Sequence, residues 1–346
     1  MLLTKQSAAH RQLLDLSPAP TSYCMLRQSM NDTRTRNTRR SWGSSQQSST
    51  LKERLTLWLN RDSTVGQIMV APMVILLVTL VAYPFVLSLW LSLTNKTIGV
   101  PGVFVGLKNF IGQWQSQIFV QALRNTFVYT IITTIVKLIL GFGLALFLNQ
   151  EFRGRQFVRA ALLLPWIVPT VLSTMAWLWM FDSNLSSINW VLRDLGLIEK
   201  NIPWLTQPTW ALVSVMIVNI WRGIPFFGIT ILAGLQTIPQ ELYDAASIDG
   251  ANRLGRLANV TIPLVRTIVY VVLVMSIIGT FSDLQVVYGL TGGGPANATQ
   301  VLATLSYKAG LQSGMLGQGA AISMYMFPVL LLMVILEVRY MRRSAE

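Results

Sequence analysis

The sequence predicts an all-α, polytopic membrane protein with about six transmembrane helices, and three observations carry that prediction. Hydrophobic residues make up 52% of the 346 and charged residues only 12%, about half the charged share usual for a soluble domain. Long apolar runs recur along the chain, each near the ~20 residues that carry a helix across ~30 Å of hydrocarbon. The runs are continuous rather than alternating, which excludes barrel strands and leaves helices as the spanning form.

Residues 1–64 read as a basic, mostly disordered tail. The stretch NDTRTRNTRRSWGSSQQSS is too polar to offset the entropy of ordering. The tail lacks the uninterrupted apolar core of a signal peptide, because LLDLSPAP is broken by Asp15 and two prolines. Met25 and Met30 stand as alternative starts. The single cysteine, Cys24, excludes an internal disulfide, and the lone His10 has no cysteine partner for zinc. The net charge of +13 is scattered through short loops without interleaved aromatics, so it points to anionic lipid and not to nucleic acid.

The transmembrane domain is expected over residues 65–342, with spans at about 67–93, 124–149, 157–181, 209–235, 264–290 and 319–339. Arginine and lysine set the orientation. The tail, the link with Arg153, Arg155 and Arg159, the segment with Arg253 and Arg256, and the closing VRYMRRSAE are rich in them. Alternate loops carry fewer, so both termini and the 237–263 loop are expected in the cytoplasm. Trp90, Trp177, Trp179 and Tyr340 read as interfacial anchors or packing.

That loop is longer and more patterned than a simple return requires. Read as helix, Leu242, Ala245, Ala246 and Ile248 form a small aliphatic face, with Glu241, Asp244 and Asp249 pointing elsewhere. Gly250 suits a left-handed residue that ends one short helix and turns the chain into a second, from about Asn252 to Val260. Pro263 marks the start of span five. The pattern predicts a helix-turn-helix elbow; a loop lying on lipid headgroups is the alternative.

DAASIDGANRLGRLANVTIPL resembles the EAA loop of ABC importer permeases, with Ala245, Ala246, Asp249, Gly250, Ala251, Ile262 and Pro263 matching in type and spacing. Asp244 stands where that pattern has Glu, and Leu257 where Phe is common. FVGLKNF, RAALLLPWIVPTVL, NIWRGIPFF and LTGGGPANATQ are similar, in the same order, to the carbohydrate-uptake branch that contains maltose, trehalose and glycerol-phosphate permeases. The resemblance covers the chain from about residue 66 to its end. It implies a bacterial inner-membrane location and partners: a second permease chain in a heterodimer, two ATP-binding subunits, and an extracytoplasmic solute-binding protein. It also implies that Glu241, Asp244, Ala245, Ala246, Asp249, Gly250, Ala251 and Pro263 couple to the ATPase. The chain itself has no Gly-x-x-x-x-Gly-Lys-Ser/Thr loop. No catalytic residue, cofactor or metal is therefore expected in it, with ATP and Mg²⁺ used by the partner.

Three charges stand out within the spans, away from their ends, and a charge costs about 2.5–3.5 kcal/mol at mid-membrane. These are Lys137, Arg222 and Asp283. The structural alternatives are that Arg222 and Asp283 pair between helices and that Lys137 snorkels or is neutral. NIWRGIPFF, however, gathers an amide, an indole, a cation, a flexible glycine and a helix-distorting proline, the mixture that binds sugars. By resemblance, Asn219, Arg222, Gly223 and Phe226, with Trp221 beside them, line the solute path from span four. Phe281, Ser282, Asp283 and Gln285 do so from span five. Arg222 also suits an anionic or highly hydroxylated solute. Open alternatives are an ABC permease for another solute class and an ion-coupled secondary carrier using Lys137, Arg222 and Asp283.

Overall fold

The structure, a computed structural model, describes residues 62–183 and 185–345; the basic tail with Cys24 and His10 lies outside them. The chain divides into two units, residues 1–69 and 70–346, and of the first only the opening of a helix is described. α1 (Asp62–Leu77) passes through a π-helical turn, Val78–Ala82, into α2 (Tyr83–Ser92). Pro84 offers no N–H to the preceding turn, and the π-helical turn sits at that point. After the short α3 (Lys108–Trp114) comes α4 (Gln117–Asn149).

α4 starts seven residues before the expected second span. Ser116 caps it by accepting a hydrogen bond from Phe119 N at 3.4 Å, and Gln117, Gln121 and Arg124 are exposed, so these polar residues extend the helix without being buried. The expected third span is bent. α5 (Arg155–Leu162) and α6 (Leu164–Ile167) form one arm, α7 (Thr170–Met180) the other, and the arms meet at 92°. Val168 precedes Pro169 and takes the extended backbone that a following proline favours.

The remaining elements are α8 (Ser187–Asp194), α9 (Pro208–Leu235), α10 (Gln240–Ile248), α11 (Arg253–Arg256), α12 (Ile262–Phe281), α13 (Gln285–Thr291), α14 (Leu302–Tyr307) and α15 (Leu316–Ala345). A π-helical turn, Leu257–Thr261, joins α11 to α12. The expected fifth span to residue 290 is therefore two helices. Asp283 interrupts it, accepting from Val286 N at 3.1 Å and so starting α13. Among the described residues, five helices are long and apolar enough to cross a membrane, six with the bent pair counted as one span.

α4 and α9 make the most extensive helix pair, and missing side chains bring them close. A Cβ on Gly141 would overlap Phe227, and one on Gly228 would press on Leu144. One apolar cluster gathers Tyr129, Phe181, Val215 and Val218; another gathers Leu148, Phe227, Ile231 and Val272. Along α9 the change from the first cluster to the second falls between Val218 and Phe227. The polar residues of NIWRGIPFF lie in that interval.

Candidate functional site

Asn219, Arg222, Gly223 and Phe226 follow one another at helical spacing, so they share a stripe of α9. All four line a cavity of about 610 Å³. Ser282, Asp283 and Gln285 reach it from the break between α12 and α13, and irregular backbone at this depth is tolerated where it lines a cavity. Trp221 and Phe281, expected on the same path, are placed elsewhere. Trp221 lies a helical step away from the stripe and packs edge-on to Trp177 at 5.4 Å. Phe281 is buried against Phe127, with ring centroids 5.3 Å apart.

A continuous polar network joins Lys137, Asn219, Thr280 and Asp283 of the cavity lining to Tyr129. Lys137 Nζ donates to Asn219 Oδ1 at 2.9 Å and to Thr280 Oγ1 at 2.8 Å. Asn219 Nδ2 donates in turn to Asp283 Oδ2 at 3.0 Å, and Tyr129 OH donates to the same oxygen at 2.7 Å. One amide thus links a cation to a carboxylate: its oxygen faces the ammonium and its N–H₂ faces the anion. Lys137 does not snorkel. Its stem lies over Gly223, where a Cβ would overlap its Cδ, and its Nζ is buried on Asn219 and Thr280.

Asp283 therefore bonds to Tyr129 and Asn219 and takes no hydrogen bond from Arg222. Arg222 is half-buried at the cavity wall, and its Nε is buried without a hydrogen-bond partner among the described residues. Trp166, from the arm before the bend, stacks on Phe226 with centroids 6.2 Å apart and planes 19° from parallel. Both rings line the cavity. Sequence reasoning passed over Tyr129, Thr280 and Trp166, which carry no local signal. Lys137 did carry one, as a lone cation in an apolar run.

At the end of α9 the chain makes the expected elbow. Asp249 N returns to Ala245 O at 3.0 Å and Ala251 N to Ala246 O at 2.9 Å, closing α10 around Gly250 at φ +81°. Asn252 Oδ1 then caps α11 by accepting from Gly255 N at 2.7 Å. Arg256 donates to Ser247 Oγ at 3.2 Å, and Tyr243 OH meets Thr261 Oγ1 at 3.2 Å, so the two arms are tied to each other. Glu241, Asp244, Ala245 and Asp249 are exposed, Ala246 and Ala251 half-buried, and Pro263 opens α12. Ile248 is 86% exposed and Leu254 74%, an apolar surface at an otherwise polar end of the bundle.

The family model for the binding-protein-dependent transport system inner membrane component matches residues 137–343. The chain belongs to that family. It is a multi-pass permease of the inner membrane, and its relatives are permease subunits rather than enzymes. The trehalose/maltose transport system permease protein MalF of Thermococcus litoralis is 33% identical over 82% of this permease and 96% of its own length. The sulfoquinovosyl glycerol transport system permease protein SmoG of Agrobacterium fabrum is 32% identical over 84% and 94%. The fold is also that of a bacterial ABC transporter involved in the import of the acidic polysaccharide alginate. That similarity has a TM-score of 0.70 at 24% identity and covers 85% of this permease and 100% of that chain.

Proposed function

We propose that this permease forms part of the solute path of an ATP-driven importer for a sugar, or a related polyol or sugar phosphate. The observation that carries the reading is the pairing of one cavity with one elbow on the same helices. α9 and α12 wall the cavity, and the segment between them is an elbow with exposed aliphatic side chains. Stacked aromatic rings beside amide, hydroxyl and charged groups suit a hydroxylated ring. Relatives named for trehalose/maltose and sulfoquinovosyl glycerol transport support the solute class.

In this reading the elbow sits in the cytoplasm, as do both termini, and Ala246, Gly250 and their neighbours fit a cleft on a separate ATP-hydrolysing subunit. ATP and Mg²⁺ belong to that subunit. A second, similar permease chain completes the solute path, and an extracytoplasmic binding protein delivers the solute. Rigid attachment of the elbow to α9 and α12 lets movement of the ATPase tilt the cavity walls.

Co-purification tests the elbow directly. Ala246→Trp and Gly250→Trp are expected to abolish capture of the ATPase, while Phe157→Ala, on the exposed face of α5, leaves it intact. Solute transport by this chain alone in liposomes, driven by an ion gradient and indifferent to ATPase, would sink the proposal.

A further inference from the structure

The hydrogen bonds around the cavity show which of its basic and acidic side chains is left without a partner. Two basic side chains, Lys137 and Arg222, and one acidic side chain, Asp283, line it. Both oxygens of Asp283 are engaged, Oδ2 by Tyr129 and Asn219 and Oδ1 by Val286 N. Lys137 is engaged by Asn219 and Thr280, and Asn219 connects it to the carboxylate. These groups form a closed set within the protein. Arg222 stands outside the set, with a buried Nε that donates to no described residue.

A guanidinium whose Nε is buried without a partner calls for an acceptor matched to its fork, and carboxylate, sulfonate and phosphate groups present one. A sugar hydroxyl accepts a hydrogen bond but leaves the charge uncompensated. Trp166 and Phe226 supply apolar faces for the ring at the same cavity. Gln285, exposed there, remains for its hydroxyls, and Ser282 Oγ, which donates to Ile278 O at 2.9 Å, can still accept from one.

We propose that the solute of this permease is an acidic sugar, whose anionic group is taken by Arg222 while its ring lies against Trp166 and Phe226. This rests on the sugar-importer reading above and narrows it. The anion is the counter-charge that Arg222 lacks, so Arg222 selects charged over neutral solutes.

The test is solute-stimulated ATP hydrolysis by the complete importer in proteoliposomes, using matched pairs: digalacturonate against galactobiose, glucose 6-phosphate and sulfoquinovose against glucose. At least one acidic member is expected to stimulate hydrolysis more strongly than its neutral counterpart. Arg222→Gln is expected to weaken the apparent affinity for that member about ten- to hundredfold, the effect of one charge-assisted hydrogen-bonded contact. Arg222→Lys, which keeps the charge, retains the preference for the acidic member, and size-exclusion profiles of both variants check assembly. Stimulation by neutral members only, or an Arg222→Gln effect equal on both members of a pair, overturns the anion assignment and leaves the sugar reading standing. If none of the solutes stimulates hydrolysis, the sugar reading falls, and the anion assignment with it.

Discussion

Gly223→Ala should show what holds Lys137 in place. The new Cβ would overlap Lys137 Cδ and crowd its Cγ and Cε at 3.3 and 3.4 Å. The stem is fixed at one end on α4 and at the other by Asn219 and Thr280, so it yields only by giving up those hydrogen bonds. Bonds of this kind between membrane helices are worth about 0.6 kcal/mol on average and about 1.7 at most, so losing both costs about 1–3 kcal/mol. Alanine by itself favours the helix by up to about 1 kcal/mol over glycine. The two effects separate in a double-mutant cycle with Lys137→Ala, measured by equilibrium unfolding in mixed micelles. Gly223→Ala is expected to be neutral to destabilising with Lys137 present, and neutral to stabilising once its stem is gone. The expected coupling is about 1–3 kcal/mol. Equal effects in the two backgrounds, within the ~0.5 kcal/mol expected of independent sites, would refute the idea that Gly223 makes room for the network.

Other predictions concern single contacts. Gly319→Ala sets a Cβ against the backbone of Gly310, where neither side has a side chain to move. A loss of about 1–3 kcal/mol should appear as a lower thermal midpoint of the detergent-solubilised chain. Gly250→Ala has open space around it but φ +81°, so its cost of roughly 1–2 kcal/mol is backbone strain. Hydrogen exchange should quicken in the 240–256 amides and not in α4. Asn252→Ala removes the α11 cap at about 1 kcal/mol and should loosen the same amides. Tyr129→Phe leaves Asp283 with one donor fewer; unfolding in mixed micelles should register up to about 1.7 kcal/mol, and a change below the noise would mean that the hydroxyl is dispensable.

The elbow was legible because its signals are local. Gly250 needs left-handed backbone, and Pro263 suits a first helical turn. Each is a property of a few consecutive residues. The breaks in the third and fifth spans were harder to read because hydropathy averages over a window. A window of apolar residues hides the extended Val168 before Pro169, and it hides the capture of a backbone N–H by Asp283.

By itself, the amino-acid sequence determined the membrane-spanning helical class and the elbow between α9 and α12. These follow from helix periodicity, span length and turn chemistry, all acting within a few turns of chain. Tertiary structure decided which charges meet. Lys137 finds Asn219 82 residues away and Thr280 143 residues away, Trp166 folds over Phe226 through the 92° bend, and Asp283 goes to Tyr129 and Asn219 instead of Arg222. Pairings at such separations depend on how the helices cross and on where a missing side chain lets them approach, and no local pattern encodes that.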